Sequence, residues 1–230
     1  MNSQELLDLI NNYQPRLETL NALKEIKLVA LVGPTAVGKT TLIEHLVQKD
    51  SSICRVVSDV SRPPREGEVN GVDYNFRSQD DMVEDLHQGR YIQVVLSADG
   101  DPYGSMPSNY GSGGVAIMAI RASVVRIFRN LPFKEVQIIC VVPPSYDIWQ
   151  QRMAVHRFSQ GDYVSRMREA RQSLEFANTD KHAQLVVNDD LMFATDMCMA
   201  IIKGEALSVE QLANQQAAKP VINSILERID

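Results

Sequence analysis

Cysteine is scarce in this sequence. Cys54, Cys140 and Cys198 are the three present, an odd number at wide spacing with no CxxC pair. That pattern excludes a disulfide or zinc framework and fits reduced thiols. Positive charge is also short: 23 lysines and arginines stand against 29 acids, a net charge of −6. No global basic field is offered to DNA, RNA or an anionic membrane, so phosphate binding must rest on local arginine clusters. No apolar run approaches the roughly 18 residues of a membrane span. The opening MNSQELLDLI is acidic and lacks a signal-peptide core. These features predict a cytoplasmic protein with no nucleic-acid partner and no membrane partner. Internal repeats and low-complexity tracts are missing too. The remaining composition, 44% hydrophobic and 23% charged, suits one enzyme-sized core with extensions, or two small ones.

Apolar spacing supplies the elements. Leu6, Leu7, Ile10, Leu17, Leu20 and Leu23 recur at helical spacing and are interrupted near Pro15. This predicts two short amphipathic helices, or one broken at the proline. Residues 27–32 read as a buried strand and 38–49 as a helix. ICRVVSDV reads as a second strand, RPPREGEVNG as a breaker-rich loop and VDYNF as an exposed strand. SQDDMVEDLHQG has a capping Ser78, acids in its first turn and a closing Gly89, the marks of a helix. YIQVVLS and GVAIMAI read as strands separated by the glycine-rich SNYGSGG. EVQIICVV reads as a buried strand halted by Pro143 and Pro144. A helix through Trp149 and Arg152, a polar stretch at 156–163 and an arginine-rich helix at 163–176 follow. The strand AQLVVN and a polar helical tail over 204–230, apolar at Val221, Ile222, Ile225 and Leu226, complete the chain. Strands alternating with helices predict an α/β fold with a parallel sheet covered on both faces.

GPTAVGKT, residues 33–40, is a full GxxxxGK[ST] match between a predicted strand and a predicted helix. The glycines let the backbone curl so that amides face a phosphate, and the helix N-terminus adds its positive end. Gly33, Pro34, Thr35, Ala36, Val37, Gly38, Lys39, Thr40 and Thr41 are the expected ATP-binding residues. Lys39 would reach the β/γ oxygens and the Thr40 hydroxyl would hold Mg²⁺. Ala36 stands where a glycine is common. A second anion site is predicted in SDVSRPPREGEVNGVDYNF. Arg62 and Arg65 are three apart, stiffened by Pro63 and Pro64, and lead to Tyr74. Two guanidinium forks and a phenol suit a dianionic phosphate. DPYGS adds Tyr103 and Ser105. The bland alternative is a solvated loop with incidental arginines.

In Ser58, Arg62, Pro64, Arg65, Gly67, Glu68, Gly71 and Tyr74, the sequence resembles the guanylate kinase family. The resemblance extends through Tyr103-Gly104-Ser105, Pro143-Pro144-Ser145 and Asn188-Asp189-Asp190, in order, over about residues 27–203. It implies a three-layer P-loop domain with a small β-rich monophosphate-binding insertion near 59–106 and a lid near 153–168. Residues 1–26 and 204–230 would be helical extensions. It implies transfer of a phosphoryl group from ATP, with Mg²⁺, to a nucleoside monophosphate, GMP or dGMP first. Arg152, Arg166 and Arg157 match the lid arginines, Lys39 completes the catalytic set, and Asn188 matches the residue that contacts adenine. A simpler role for VNDD is to cap a helix.

The family's guanine-reading and strand-end acids are not acidic in this chain. Gln93 stands for one, and Ala119-Ile120-Arg121 stands for a D-x-D. The expected monophosphate site is therefore Ser58, Arg62, Arg65, Tyr74, Gln93, Tyr103, Ser105 and Arg121. Arg121 brings only donors, which suit a carbonyl, a carboxylate or a second phosphate. IRAS also resembles the strand end of ribose bisphosphate phosphokinases. The alternatives are thus a kinase of another nucleotide or phosphorylated small molecule, such as ribose bisphosphate, and a catalytically silent interaction module. A nucleic-acid-binding P-loop ATPase is a distant third. A homodimer through the terminal helices is the partner expectation, beside simple packing of those helices.

Overall fold

The computed structural model describes residues 2–65, 67–97, 99–111, 114–156 and 158–229. The helices among them are α1 (Ser3–Asn11), α2 (Leu17–Asn21), α3 (Lys39–Lys49), α4 (Gln79–His87), α5 (Val125–Arg129), α6 (Tyr146–Ala154), α7 (Gln160–Thr179), α8 (Leu191–Lys203) and α9 (Val209–Leu226). The strands are β1 (Ile26–Val32), β2 (Ile53–Arg55), β3 (Asp59–Val60), β4 (Asn75–Phe76), β5 (Gln93–Leu96), β6 (Pro102–Ser105), β7 (Gly114–Ala119), β8 (Glu135–Val142) and β9 (Gln184–Val187). One sheet has the order β2-β7-β1-β8-β9 and the other β4-β3-β6-β5. This is the α/β P-loop architecture that the alternation of strands and helices predicts. No described helix is long and apolar enough to cross a membrane.

The chain divides into two compact units. Residues 28–53, 117–128 and 136–230 form the larger. Its strands read as unbroken apolar runs because both faces are covered: Leu28 to Val32 and Ile138 to Val142 are all buried. The covering helices contribute Leu42, Ile43 and Leu46 from α3, Met197 to Ile202 from α8, and Ile222 and Ile225 from α9. Asp190 caps α8 by accepting from the Phe193 amide at 2.7 Å, which satisfies one orphan donor of the first turn.

Residues 1–27, 54–116 and 129–135 form the smaller unit. Here β6 pairs antiparallel with β3 and β5, and β3 pairs parallel with β4. ICRVVSDV is therefore two strands in two sheets, β2 and β3. The break follows from Asp59, a buried carboxylate in β3 that needs the partners of the small sheet. Tyr91 and Asn75 donate to it at 2.9 Å, and Arg77 at 3.2 Å. Arg77 and Arg90 each also donate to buried Asp85 at 2.7 Å. The N-terminal segment belongs to this unit. Leu9, Ile10 and Tyr13 pack on Met82, Leu86, Tyr91 and Val94, and the Tyr13 hydroxyl donates to the Tyr91 carbonyl at 2.6 Å.

Candidate active site

The glycine-rich loop joins β1 to α3. Gly33 is forced by space, since a Cβ there would lie 2.4 Å from the Val141 carbonyl oxygen. Ala36 holds φ 62°, a left-handed conformation that a non-glycine residue adopts only under strain. Donors from several elements hold the loop's carbonyls. Lys39 Nζ donates to Gly33 and Pro34 at 2.7 and 2.9 Å. The Trp149 indole, from α6, donates to Thr35 at 2.8 Å. Asn188 Nδ2, just after β9, donates to Val37 at 2.8 Å. Arg152 in turn donates to the Asn188 carbonyl at 3.0 Å. Asn188 thus sits buried as a brace of the loop. Thr40 and Thr41 are exposed at the start of α3.

Burial pushes the Lys39 ammonium down to about 8; the charge of Glu169 opposes that shift and Arg166 adds to it. Arg166 donates to Glu169 at 3.1 Å, and its guanidinium lies 6.0 Å from the Phe158 ring centroid. Arg121 is in this larger unit as well, paired with Glu169 at 3.2 Å. It meets the carboxylate that its donors suit; the other expected monophosphate residues belong to the smaller unit. Arg157 lies outside the described residues.

In the smaller unit, Arg62 and Arg65 are placed differently. Arg62 is buried. Its two terminal nitrogens meet both oxygens of Glu68 at 2.6 and 2.7 Å, and Nε donates to the Tyr103 hydroxyl at 2.7 Å. Its guanidinium lies 5.3 Å from the Tyr74 ring centroid and 6.0 Å from that of Tyr103. The hydrogen bonds to Glu68 raise the Arg62 pKa, and the same pair lowers that of Glu68. Arg65 is exposed, and its backbone N–H donates to Glu68 at 2.7 Å. Ser58 is half-buried and its carbonyl accepts from the Asn75 amide at 2.9 Å. Ser105 is fully buried, with its hydroxyl 2.8 Å from that of Tyr110. Gln93 Nε2 donates to Ser105 at 3.4 Å, and Gln93 Oε1 is buried with no hydrogen-bond partner among the described residues.

Sequence reading missed Trp149 as a brace, Glu68 as the acid that aims Arg62, and Glu169. A single tryptophan soon after a buried strand was the available signal for the first. The RxxRxGE spacing was the signal for the second. Nothing in the sequence paired Arg121 with Glu169, 48 positions apart by subtraction.

A strand, a glycine-rich loop with its lysine folded against it, and a helix beginning at that lysine define a P-loop nucleotide-binding fold. The guanylate kinase family profile matches residues 25–204, and the chain belongs to that family. Guanylate kinase of Nostoc sp. is 32% identical over 168 residues, covering 71% of this chain and 83% of the relative. That of Bacillus subtilis is 31% identical over 192 residues, covering 81% and 92%. That of Oceanobacillus iheyensis is 30% identical, covering 82% and 92%. A crystal structure of guanylate kinase from Anaplasma phagocytophilum has the same fold, with a TM-score of 0.55 at 19% identity over 88% of this chain and 95% of that one.

Proposed function

We propose that this chain transfers the γ-phosphoryl group of ATP to the phosphate of a nucleoside monophosphate, with GMP or dGMP the first acceptor. The observation that carries this reading is the phosphate loop: Lys39, Trp149 and Asn188 hold back the carbonyls of Gly33, Pro34, Thr35 and Val37. A loop so oriented gives its amides and the positive end of α3 to a polyphosphate. Family membership supports the donor and the acceptor class.

No group of three or more His, Cys, Asp or Glu side chains able to hold a metal exists among the described residues. Exposed Thr40 is nonetheless enough for Mg²⁺, which takes most of its oxygens from phosphates and water. When bound, the ion would neutralise phosphate charge. The acceptor oxygen is already ionised, so no strong base is required. The protein's part is positioning and charge neutralisation by Lys39, Arg152 and Arg166, with Arg157 expected to join them.

Acceptor binding is assigned to Arg62, Arg65, Tyr74 and Tyr103, with Ser58, Ser105 and Gln93 around the base. Gln93 carries one acceptor oxygen, unpartnered among the described residues, where a carboxylate would carry two. That favours a second reading of the base: one donor of guanine is satisfied and the other is not. An acceptor presenting a single N–H there would then compete with GMP. A lost buried hydrogen bond of about 1–3 kcal/mol removes most of the preference.

A coupled ADP-release assay over nucleoside mono- and deoxymonophosphates and ribose bisphosphate tests the proposal. Turnover of at least one monophosphate is expected. No turnover together with no ATP binding would overturn it. Arg65→Ala is expected to raise acceptor KM about tenfold or more with ATP affinity unchanged, the loss of one charge-assisted contact. Equal loss for ATP would sink the division of roles. Arg62→Ala is a poorer probe, because it also strands Glu68.

A further inference from the structure

We propose that Glu169 is a positioning residue of the transfer site, a carboxylate that holds Arg121 and Arg166 together beside the phosphate-loop lysine. The inference rests on the kinase reading and adds a residue to it. Arg166 and Glu169 are three apart on α7 and so share a face. Arg121 arrives from a different element, the N-cap of a 3₁₀ turn (Ala122–Val124) that follows β7 and packs on α7. One oxygen of Glu169 takes Arg121 Nη2 at 3.2 Å and the other takes Arg166 Nη1 at 3.1 Å.

The geometry is specific. Each guanidinium has five N–H donors. These contacts engage one nitrogen of each, so further donors remain for an incoming anion. Without a shared anion, two such cations would repel one another. Phe158 lies against Arg166 as a second restraint. The charges of Glu169 and Arg166 also act on Lys39, in opposite senses, and Arg166 is one of the arginines assigned to the transfer site above. The side chains of Arg166 and Glu169 are about three-quarters shielded, at 27% and 26% exposure, while Arg121 is half exposed at 52% and is held mainly through Glu169. A fully solvated pair would be too mobile and too screened to aim anything. Pre-aimed cations make the terminal phosphate of ATP worth more than ADP alone, because their ordering entropy is already lost.

The test uses the full chain, with Glu169→Gln and Glu169→Asp. Mg·ATP and Mg·ADP affinities are measured by displacement of a fluorescent ADP analogue, together with kcat, acceptor KM and thermal midpoint. Glu169→Gln is expected to leave Mg·ADP affinity within about twofold and to cut the preference for ATP over ADP by about fivefold, the loss of one pre-ordered side chain. It lowers kcat about tenfold with acceptor KM unchanged. Glu169→Asp restores part of both. An unchanged ATP preference overturns the inference. So does a rise in ATP affinity, which would make the carboxylate a competitor of phosphate. Parallel loss of ADP affinity and thermal midpoint would also overturn it, as a purely structural effect. A wild-type chain that binds neither nucleotide overturns the kinase reading itself, a different result from a wild type and variant that bind both alike.

Discussion

Glu68 is the residue on which the acceptor site proposed for the smaller unit turns. It takes one hydrogen bond from each terminal nitrogen of Arg62, and it also takes the Arg65 amide. Removing it does two opposed things: it frees a fork for phosphate and it leaves a buried guanidinium unpaired. The second effect dominates stability, because an unpaired buried charge is costly. The Glu68 pKa is depressed by its Arg62 bonds. A depressed carboxylate gives stability that is present above the unfolded value and lost as pH falls through the folded one. Glu68→Gln is therefore expected to be less stable than wild type at pH 7 by about 1.5–3 kcal/mol, the range for a hydrogen bond to a charged group. The difference should close as pH falls below the ordinary carboxylate value of about 4.3. Urea denaturation at several pH values checks this, and a constant difference down to pH 2.5 would refute it. Ala36 carries a second residue-scale lesson. The motif fixed its place in the loop, but its positive φ belongs to the folded backbone alone.

Among elements, local signals were legible and distant ones were not. The phosphate loop, the Ser78 cap of α4 and the buried runs of β1 and β8 each depend on a few adjacent residues, so spacing finds them. The split of ICRVVSDV into β2 and β3 depends on Tyr91, Arg77 and Asn75, which lie 16 to 32 positions beyond Asp59. Periodicity within the segment holds no trace of them. The same limit hid α6 as a brace. Its Trp149 is fully buried and its indole N–H ends on the Thr35 carbonyl. Trp149→Phe keeps an aromatic ring and removes that donor, so the carbonyl held back from the phosphate is left unpaired. The expected outcome is a loss of about 1–3 kcal/mol in stability, the penalty for an unsatisfied buried group. Mg·ATP affinity should fall with it, while acceptor KM measured at saturating ATP stays put. Isothermal titration with ATP and steady-state kinetics separate the two. A variant with wild-type ATP affinity would show that α6 supports the core without shaping the loop.

At the scale of the whole chain, the family match ends at residue 204 and α9 begins at Val209. Yet α9 bears on the phosphate site. In the larger unit β9 is the last strand of its sheet, and an edge strand has unpaired backbone groups. Asn214 closes that edge at Val187, accepting from its N–H and donating to its carbonyl, both at 2.9 Å. Ile222 and Ile225 are fully buried and anchor the helix. The residue after Val187 is Asn188, whose amide holds the Val37 carbonyl of the phosphate loop. A tail outside the family match thus fixes the strand end that braces the loop. Asn214→Ala removes both bonds while leaving the apolar anchors, so α9 should stay in place as β9 frays. We expect Val187 and Asn188 amide exchange to speed by about tenfold, the equivalent of roughly 1.4 kcal/mol of lost local protection. Mg·ATP affinity should weaken severalfold, with little change in the smaller unit's exchange. If exchange at Val187 accelerates and ATP affinity does not move, the brace at Asn188 is independent of the strand that carries it. If neither changes, water replaces Asn214 at the edge and the tail contributes only through Ile222 and Ile225.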